Sequence, residues 1–335
     1  MKSPEEKQIL LIGEILYATA AWRSLSALGR LRQLNEGNRA KFLADCRSGI
    51  YDGVNAIART FDSVELTGRF DPELIEALPK SLRYISHNGA GYDQIDVDAC
   101  TVKGISVSNT PGAVDASTAN TALYLLLGAL RRIHVPSTAL RAGQWRGAMG
   151  LGHDPEGKTL GILGMGGIGG ALARRAAPFD MKIQYHNRRP VAPEQNPTKA
   201  DFVSLEKLLR TSDVISIHLP LSDRTRQFIG RKEINMMKDG VVIINTARGP
   251  IIDEQALVEA LESGKVFGAG LDVFEKEPEI HQGLIKNKNT VLLPHTGTAT
   301  YETMSSKNAT GFDDGGRIEL AESEGLHFDS ILPLT

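Results

Sequence analysis

Apolar positions along the chain fall into short runs that alternate with stretches of helical periodicity. Up to about residue 112 the runs are "QILLIGE", "VNAIAR", "RYISH" and "ISVSN", and the helical pieces between them include 37–48 and 72–79. This alternation predicts a parallel sheet with helices on its faces. In "ASTANTALYLLLGALRRI", 116–133, apolar residues cover most of the helix surface, which predicts a helix buried between domains or subunits and a boundary near residue 113. A Gly- and Trp-containing connector follows at 142–157. The alternation then resumes with "TLGIL", "KIQYH", "VISIHLP", "VVIINTA", "GAGLDVF" and "TVLLPH", near-continuous apolar runs of the kind found in strands buried on both faces. The fold class expected is α/β, as two doubly wound parallel-sheet domains. The tail, 301–335, carries Gly and Asp where a closing helix is expected.

Composition narrows the partners. The chain has 335 residues, enough for two domains, and 38 basic against 40 acidic residues give a formal charge of −2. That balance argues against nucleic-acid and membrane-surface partners. Cys46 and Cys100, the two cysteines, stand in no metal or redox spacing and read as buried, reduced thiols of an intracellular protein; no metal site is expected. The start, "MKSPEEKQILLIGEIL", lacks a basic region leading into an apolar run and cleavage site. The run "ALYLLLGAL", 122–130, is too short to span a bilayer, so the expected location is cytoplasmic.

"TLGILGMGGIGGALARRAAPF" begins as a strand and ends as a helix, with Gly164, Gly166 and Gly169 in G-x-G-x-x-G spacing at the junction. Such glycines allow a tight turn, close approach of backbone to a pyrophosphate, and close helix–strand packing, while the helix N-terminus offers free amides. An NAD site normally has an acid about 20 residues on, to bind the ribose hydroxyls. Here the second strand ends at Asn187-Arg188-Arg189. A carboxylate would repel a 2′-phosphate and guanidinium groups would bind one, so NADPH is expected, with NADH weaker. Arginines at a strand end also occur as plain solvated charge, and that reading stays open.

Three ionisable side chains follow three successive strands: Arg248 after "VVIINTA", Glu277 past "GAGLDVF", and His295 closing "TVLLPH". Ligands of open α/β sheets bind outside the carboxyl ends of the strands, which places all three near one crevice with the glycine loop. The types suit reduction of a 2-keto acid. An arginine holds a carboxylate and polarises the adjacent carbonyl, a histidine donates a proton as hydride arrives, and a glutamate orients the imidazole. Singly, each also has a structural reading as a strand cap, a solvated acid or a loop tie.

At "GILGMGGIG" (161–169), "NTARGPIIDEQALVEAL" (245–261), "GAGLDVFEKEP" (268–278), "LLPHTGTAT" (292–300), "GAGYDQID" (89–96) and "NTPG" (109–112) the chain resembles the D-2-hydroxyacid dehydrogenases, and within them the fungal-type glyoxylate/hydroxypyruvate reductases. The resemblance spans roughly 50–300. It implies a Rossmann NADPH-binding domain over 113–299 and a flavodoxin-like substrate-binding domain over 1–112 and 300–335. It implies that Arg248 binds and polarises substrate, that Glu277, the glutamate followed by proline, pairs with His295, and that His295 is the proton donor. Ala90 and Gly91 would hold the substrate carboxylate with their amides. The cofactor contacts expected are Gly164, Gly166, Gly167, Ile168 and Gly169, then Asn187, Arg188 and Arg189, then Thr246, Ala247, Asp272 and Gly297.

The resemblance further implies a homodimer through the helix at 116–133 and the arm that follows, with Trp145 on the arm. Two departures stand out: Asn120 where the family often has Glu, and the tail after residue 303. The function expected is NADPH-dependent reduction of glyoxylate or hydroxypyruvate to the D-2-hydroxy acid. The alternatives are a reductase of bulkier mandelate-type or branched-chain 2-keto acids, a choice set by 59–70, and a dinucleotide-sensing regulator of the corepressor kind.

Overall fold

The structure, a computed structural model, describes residues 6–147, 150–196 and 198–310, the last four of them as backbone only. It divides into two compact units. One comprises the chain up to Ala113 together with the segment from Tyr301, the other Val114–Thr300.

The first unit is built on five strands, β1 (Gln8–Ile12), β2 (Arg30–Leu34), β3 (Val54–Thr60), β4 (Tyr84–Asn88) and β5 (Ser106–Ser108), in the order β2-β1-β3-β4-β5 and all parallel. Sequence patterning misses β2, "RLRQL", because an edge strand with a half-solvated surface needs no apolar run. Helices start where side chains can take their free amides: Asn38 caps Arg39–Arg47, Asp71 caps Pro72–Ala77, and Asp96 caps Val97–Val102. The core packs Leu10, Ile12, Val54, Ile57 and Ile85 of the sheet against Phe42, Leu74, Ile75 and Cys100 of the helices. The chain returns to this unit as the helix Tyr301–Thr310, where Tyr301 meets Tyr17 edge to face with ring centres 5.7 Å apart. The rest of the tail, 311–335, lies outside the described residues.

The second unit carries seven parallel strands: β6 (Thr159–Leu163), β7 (Lys182–His186), β8 (Asp201–Phe202), β9 (Val214–Ile217), β10 (Val241–Asn245), β11 (Val266–Leu271) and β12 (Thr290–Leu292). Their order is β12-β11-β10-β9-β6-β7-β8. The order reverses at β6, which pairs with β7 on one side and β9 on the other, and that switch point opens a crevice at the carboxyl ends of the strands. Every residue of β9 and β10 is buried, as expected of central parallel strands covered on both faces. One face packs on the helix Asp115–Arg131, where Leu125, Leu126 and Ala129 meet Val242 and Ile244; the other packs on Glu254–Ser263 through Leu257 and Leu261. Asn120 accepts a hydrogen bond from Arg175 Nε at 2.6 Å, so the departure from Glu still ties this helix to its neighbour Gly167–Ala176. No helix among the described residues is long and apolar enough to cross a membrane.

Cys46 and Cys100 are both buried in the first unit, and burial pushes each thiol up to about 12. At pH 8 neither populates the reactive thiolate. A disulfide thiol reagent should therefore label the native protein negligibly while labelling both cysteines in urea; rapid labelling of the folded protein would contradict this packing.

Candidate active site

In the second unit β6 runs into the glycine loop. Gly164 takes φ +99°, a conformation that disfavours any side chain, and a Cβ on Gly169 would overlap the carbonyl oxygen of Gly164. The helix Gly167–Ala176, with Ile168 in its first turn, can thus start close against the strand end. A Cβ on Gly166 would meet nothing within 4 Å, so this side of the loop is open. At the end of β7, Asn187 Oδ1 accepts the Met165 amide at 2.7 Å and pins the loop from beneath. Arg188 and Arg189 follow it and are exposed.

β10 ends in a turn organised by Asn245, which is buried. Its Oδ1 accepts the Ala247 amide at 3.0 Å and its Nδ2 donates to the Arg248 carbonyl at 2.9 Å. The Arg248 side chain donates from Nη1 to the Ala247 carbonyl at 2.7 Å. Thr246 Oγ1 is buried and has no partner among the described residues.

β11 delivers Asp272, 2% exposed, whose Oδ1 accepts the Thr296 amide and whose Oδ2 accepts the Gly297 amide, both at 2.8 Å. Burial lifts the Asp272 carboxyl above the ordinary range, and these amides together with the His295 charge pull it only part of the way back. The His295 amide donates to the Asp272 carbonyl at 2.7 Å, and His295 sits at φ +56°, a left-handed backbone uncommon for residues other than glycine. From there His295 Nδ1 reaches Glu277 Oε2 at 2.8 Å. Glu277 Oε1 accepts the Phe274 amide at 2.9 Å. Burial alone would raise the Glu277 carboxyl, but the hydrogen bond and charge of His295, the Phe274 amide and the Arg248 charge outweigh it and hold the group below the usual carboxylate range. Glu277 is therefore ionised at neutral pH and fixes the imidazole ring through Nδ1. Glu277 and His295 form one bonded pair, and the Arg248 charge reaches that pair.

Two residues of this site escape sequence reasoning. His218, at the end of β9, donates or accepts through Nε2 with Ser216 Oγ at 2.8 Å, while its buried Nδ1 has no partner among the described residues. Burial pushes it down to about 4, so it is neutral. The strand end "VISIHLP" was its only signal. Glu254, 6% exposed, accepts the Glu275 amide at 2.6 Å and buttresses the segment that carries Glu277. An acid in a helix's first turn reads as ordinary dipole complementarity, so nothing in the sequence marks it.

In the first unit, Ala90 and Gly91 lie in the loop after β4. The Ala90 carbonyl accepts from Asn109 Nδ2 at 2.7 Å and the Gly91 carbonyl bonds His87 Nε2 at 2.9 Å.

An open loop face, a helix N-terminus directed at it, and two orphaned buried polar atoms at neighbouring strand ends together fit a nicotinamide dinucleotide. Comparison with known proteins agrees. Residues 123–297 match the model of the D-isomer specific 2-hydroxyacid dehydrogenase, NAD binding domain. The 4-methyl-2-oxopentanoate reductase A of Aspergillus oryzae is 56% identical over 294 residues, 88% of this chain and 89% of that protein. A solved glyoxylate reductase from Paecilomyes thermophila superposes with a TM-score of 0.90 at 56% identity, covering 92% of this chain and 93% of that one. The NADPH-dependent glyoxylate/hydroxypyruvate reductase of Sinorhizobium meliloti, solved with NADP and malonate, gives 0.79 at 31% identity over 92% of both chains. Both the bonded acid–histidine pair and the shared architecture thus point to reduction of 2-oxo acids with a nicotinamide dinucleotide, and the chain belongs to the D-isomer specific 2-hydroxyacid dehydrogenase family.

Proposed function

We propose that this protein is an NADPH-dependent reductase of small 2-oxo acids, of the glyoxylate and hydroxypyruvate class, yielding the D-2-hydroxy acid. The observation that carries the reading is the His295–Glu277 hydrogen bond of 2.8 Å, which gives Nδ1 a proton and a carboxylate partner and makes Nε2 the nitrogen assigned to proton transfer in this reading. The nicotinamide, when bound, supplies hydride to the keto carbon. His295 Nε2 gives its proton to the carbonyl oxygen, while Glu277 offsets the imidazolium charge before transfer and keeps the ring from turning. Arg248 binds the substrate and polarises its carbonyl, raising the electrophilicity of the carbon. Ala90 and Gly91 contribute main-chain amides to the substrate carboxylate. On this reading the first unit is the substrate-binding domain and the second the NADPH-binding domain.

The residues that would hold the cofactor are Gly164, Gly166, Gly167, Ile168 and Gly169 for the pyrophosphate, Thr246, Ala247, Asp272 and Gly297 for the nicotinamide half, and Asn187, Arg188 and Arg189 for the adenosine half. Asn187 already spends its carbonyl oxygen on Met165, which leaves the two exposed arginines as the groups able to read a 2′-phosphate. The Sinorhizobium relative, NADPH-dependent by name, favours the same choice.

A homodimer also belongs to this proposal. The helix His134–Arg141 buries none of its residues, and Ile133, Leu140, Trp145 and Leu151 are exposed around it, an apolar arm that a second copy would cover. A second substrate reading is favoured by the 56% identity to a 4-methyl-2-oxopentanoate reductase: a branched-chain 2-oxo acid in place of the small acids.

Initial rates of NADPH and NADH oxidation with glyoxylate, hydroxypyruvate, phenylglyoxylate and 4-methyl-2-oxopentanoate decide among these. Faster turnover of the two small acids supports the proposal, and preference for the branched acid supports the second reading. His295→Ala and Arg248→Ala should each lower kcat/KM by at least ~10²-fold with NADPH binding retained; full activity in either variant would refute its role. Arg188→Ala should weaken NADPH by about tenfold and leave NADH nearly unchanged; equal losses for both cofactors would make the arginines plain surface charge.

A further inference from the structure

Arg59, the penultimate residue of β3, is 1% exposed. Its Nη2 donates to Gln94 Oε1 at 2.7 Å, its Nε to Ser63 Oγ at 3.3 Å, and its Nη1 to His87 Nδ1 at 3.4 Å, with the guanidinium 5.1 Å from the centre of the Phe70 ring. Burial pulls the guanidinium down to about 10, against the opposing charge of Asp93, so it stays protonated at neutral pH. No ion pair to Arg59 occurs among the described residues. A buried cation without a bonded carboxylate is costly, and a methionine would fill similar space without that cost.

The bonds around His87 show what the charge accomplishes. β3 and β4 pair in register with Arg59 opposite His87. A guanidinium only donates, so Nδ1 of His87 must accept; the Gly91 carbonyl only accepts, so Nε2, 2.9 Å away, must carry the proton. Arg59 therefore fixes His87 as the neutral Nε2–H tautomer. The Ala90 carbonyl takes Asn109 Nδ2 and the Gly89 carbonyl takes the Thr110 amide at 3.0 Å. Three consecutive carbonyls are thereby occupied, while the Ala90 and Gly91 amides meet no acceptor among the described residues.

We propose that Arg59 is the positioning residue of this anion-binding loop: through His87 it fixes the Gly91 carbonyl, and with it the turn of the backbone at Gly91, so that the Gly91 amide stays available to the carboxylate of the 2-oxo acid, and its buried charge favours that anion. The inference rests on the reading that the 89–91 loop binds the substrate carboxylate.

The test uses the full-length enzyme at saturating NADPH, with whichever of glyoxylate and 4-methyl-2-oxopentanoate it reduces better, and with the methyl ester of that acid. Arg59→Met should raise KM for the acid by about tenfold or more, change kcat by no more than about threefold, and leave NADPH affinity unchanged. His87→Gln, whose amide can both accept from Arg59 and donate to Gly91, should stay within about threefold of wild type, whereas His87→Leu should match Arg59→Met. A merely structural role would not separate glutamine from leucine in KM, so the His87 pair decides the matter even where Arg59→Met fails to fold. KM within about twofold of wild type in Arg59→Met and His87→Leu, equal losses in the two His87 variants, or a loss in kcat alone would overturn the proposal. A wild-type enzyme that reduces ester and acid equally well overturns the loop reading and the inference with it. Strong wild-type preference for the acid, with unaltered KM in the variants, overturns the inference alone.

Discussion

The Asp272 carboxylate is the fixed point of the active-site half of the second unit. With both oxygens engaged by the Thr296 and Gly297 amides, it sets the backbone after β12 in a turn that places His295 at positive φ. A non-glycine residue held there stores strain of order 1–3 kcal/mol, which persists only because surrounding bonds over-determine the geometry. Charge-assisted bonds from two amides to a buried carboxylate, each about 1.5–3 kcal/mol, are of the right size to do so. The His295–Glu277 bond is then a consequence: the imidazole is delivered to the carboxylate already oriented. Little torsional freedom remains to be lost when a substrate arrives.

The same economy recurs at other strand ends. Asn187 ties the glycine loop, Asn245 ties the turn before Arg248, and His87 with Asn109 ties the loop after β4. Each is a short polar side chain at or just beyond the end of a parallel strand, where the ladder stops and main-chain groups lose their partners. Rigid central strands fix where these residues start, and one or two hydrogen bonds fix how the next few peptides turn. What such loops leave over is mainly peptide groups: in the first unit the amides at 90 and 91, and in the second the open face of the glycine turn.

This explains which features the sequence discloses. The central strands are plain because burial on both faces demands unbroken apolar runs, and "VVIIN" or "VISI" admit few other readings. Arg248 and His295 are visible because each is a lone ionisable group following such a run, and Glu277, in the charged stretch "EKEPE", because a proline follows it. Edge strand β2 is hidden because it alternates charge with leucine, and Glu254 because an acid after an Asp cap is ordinary helix chemistry. Arg59 is hidden for a deeper reason. In "VNAIAR" it looks like the solvated end of a strand, yet its environment is assembled from Ser63, Phe70, His87 and Gln94, the last of them 35 positions further along the chain. No local pattern can report a burial that tertiary packing alone creates.

Burial sets these arginines apart from one another. Arg188 and Arg189 are exposed, keep their hydration until a ligand displaces it, and suit a group such as a phosphate that brings its own charge to the surface. Arg248 is half-buried, and its charge reaches the Glu277 carboxylate. Arg59 is closed off altogether, so it can touch no ligand and can act only through the residues it orients and the potential it leaves behind. That potential is screened by protein and not by solvent, so it decays more slowly with distance than that of a surface lysine. A cation kept under a loop of unpaired amides, without a carboxylate bonded to it, makes the loop electropositive before any anion is present, which is the preorganisation that binding a small acid requires.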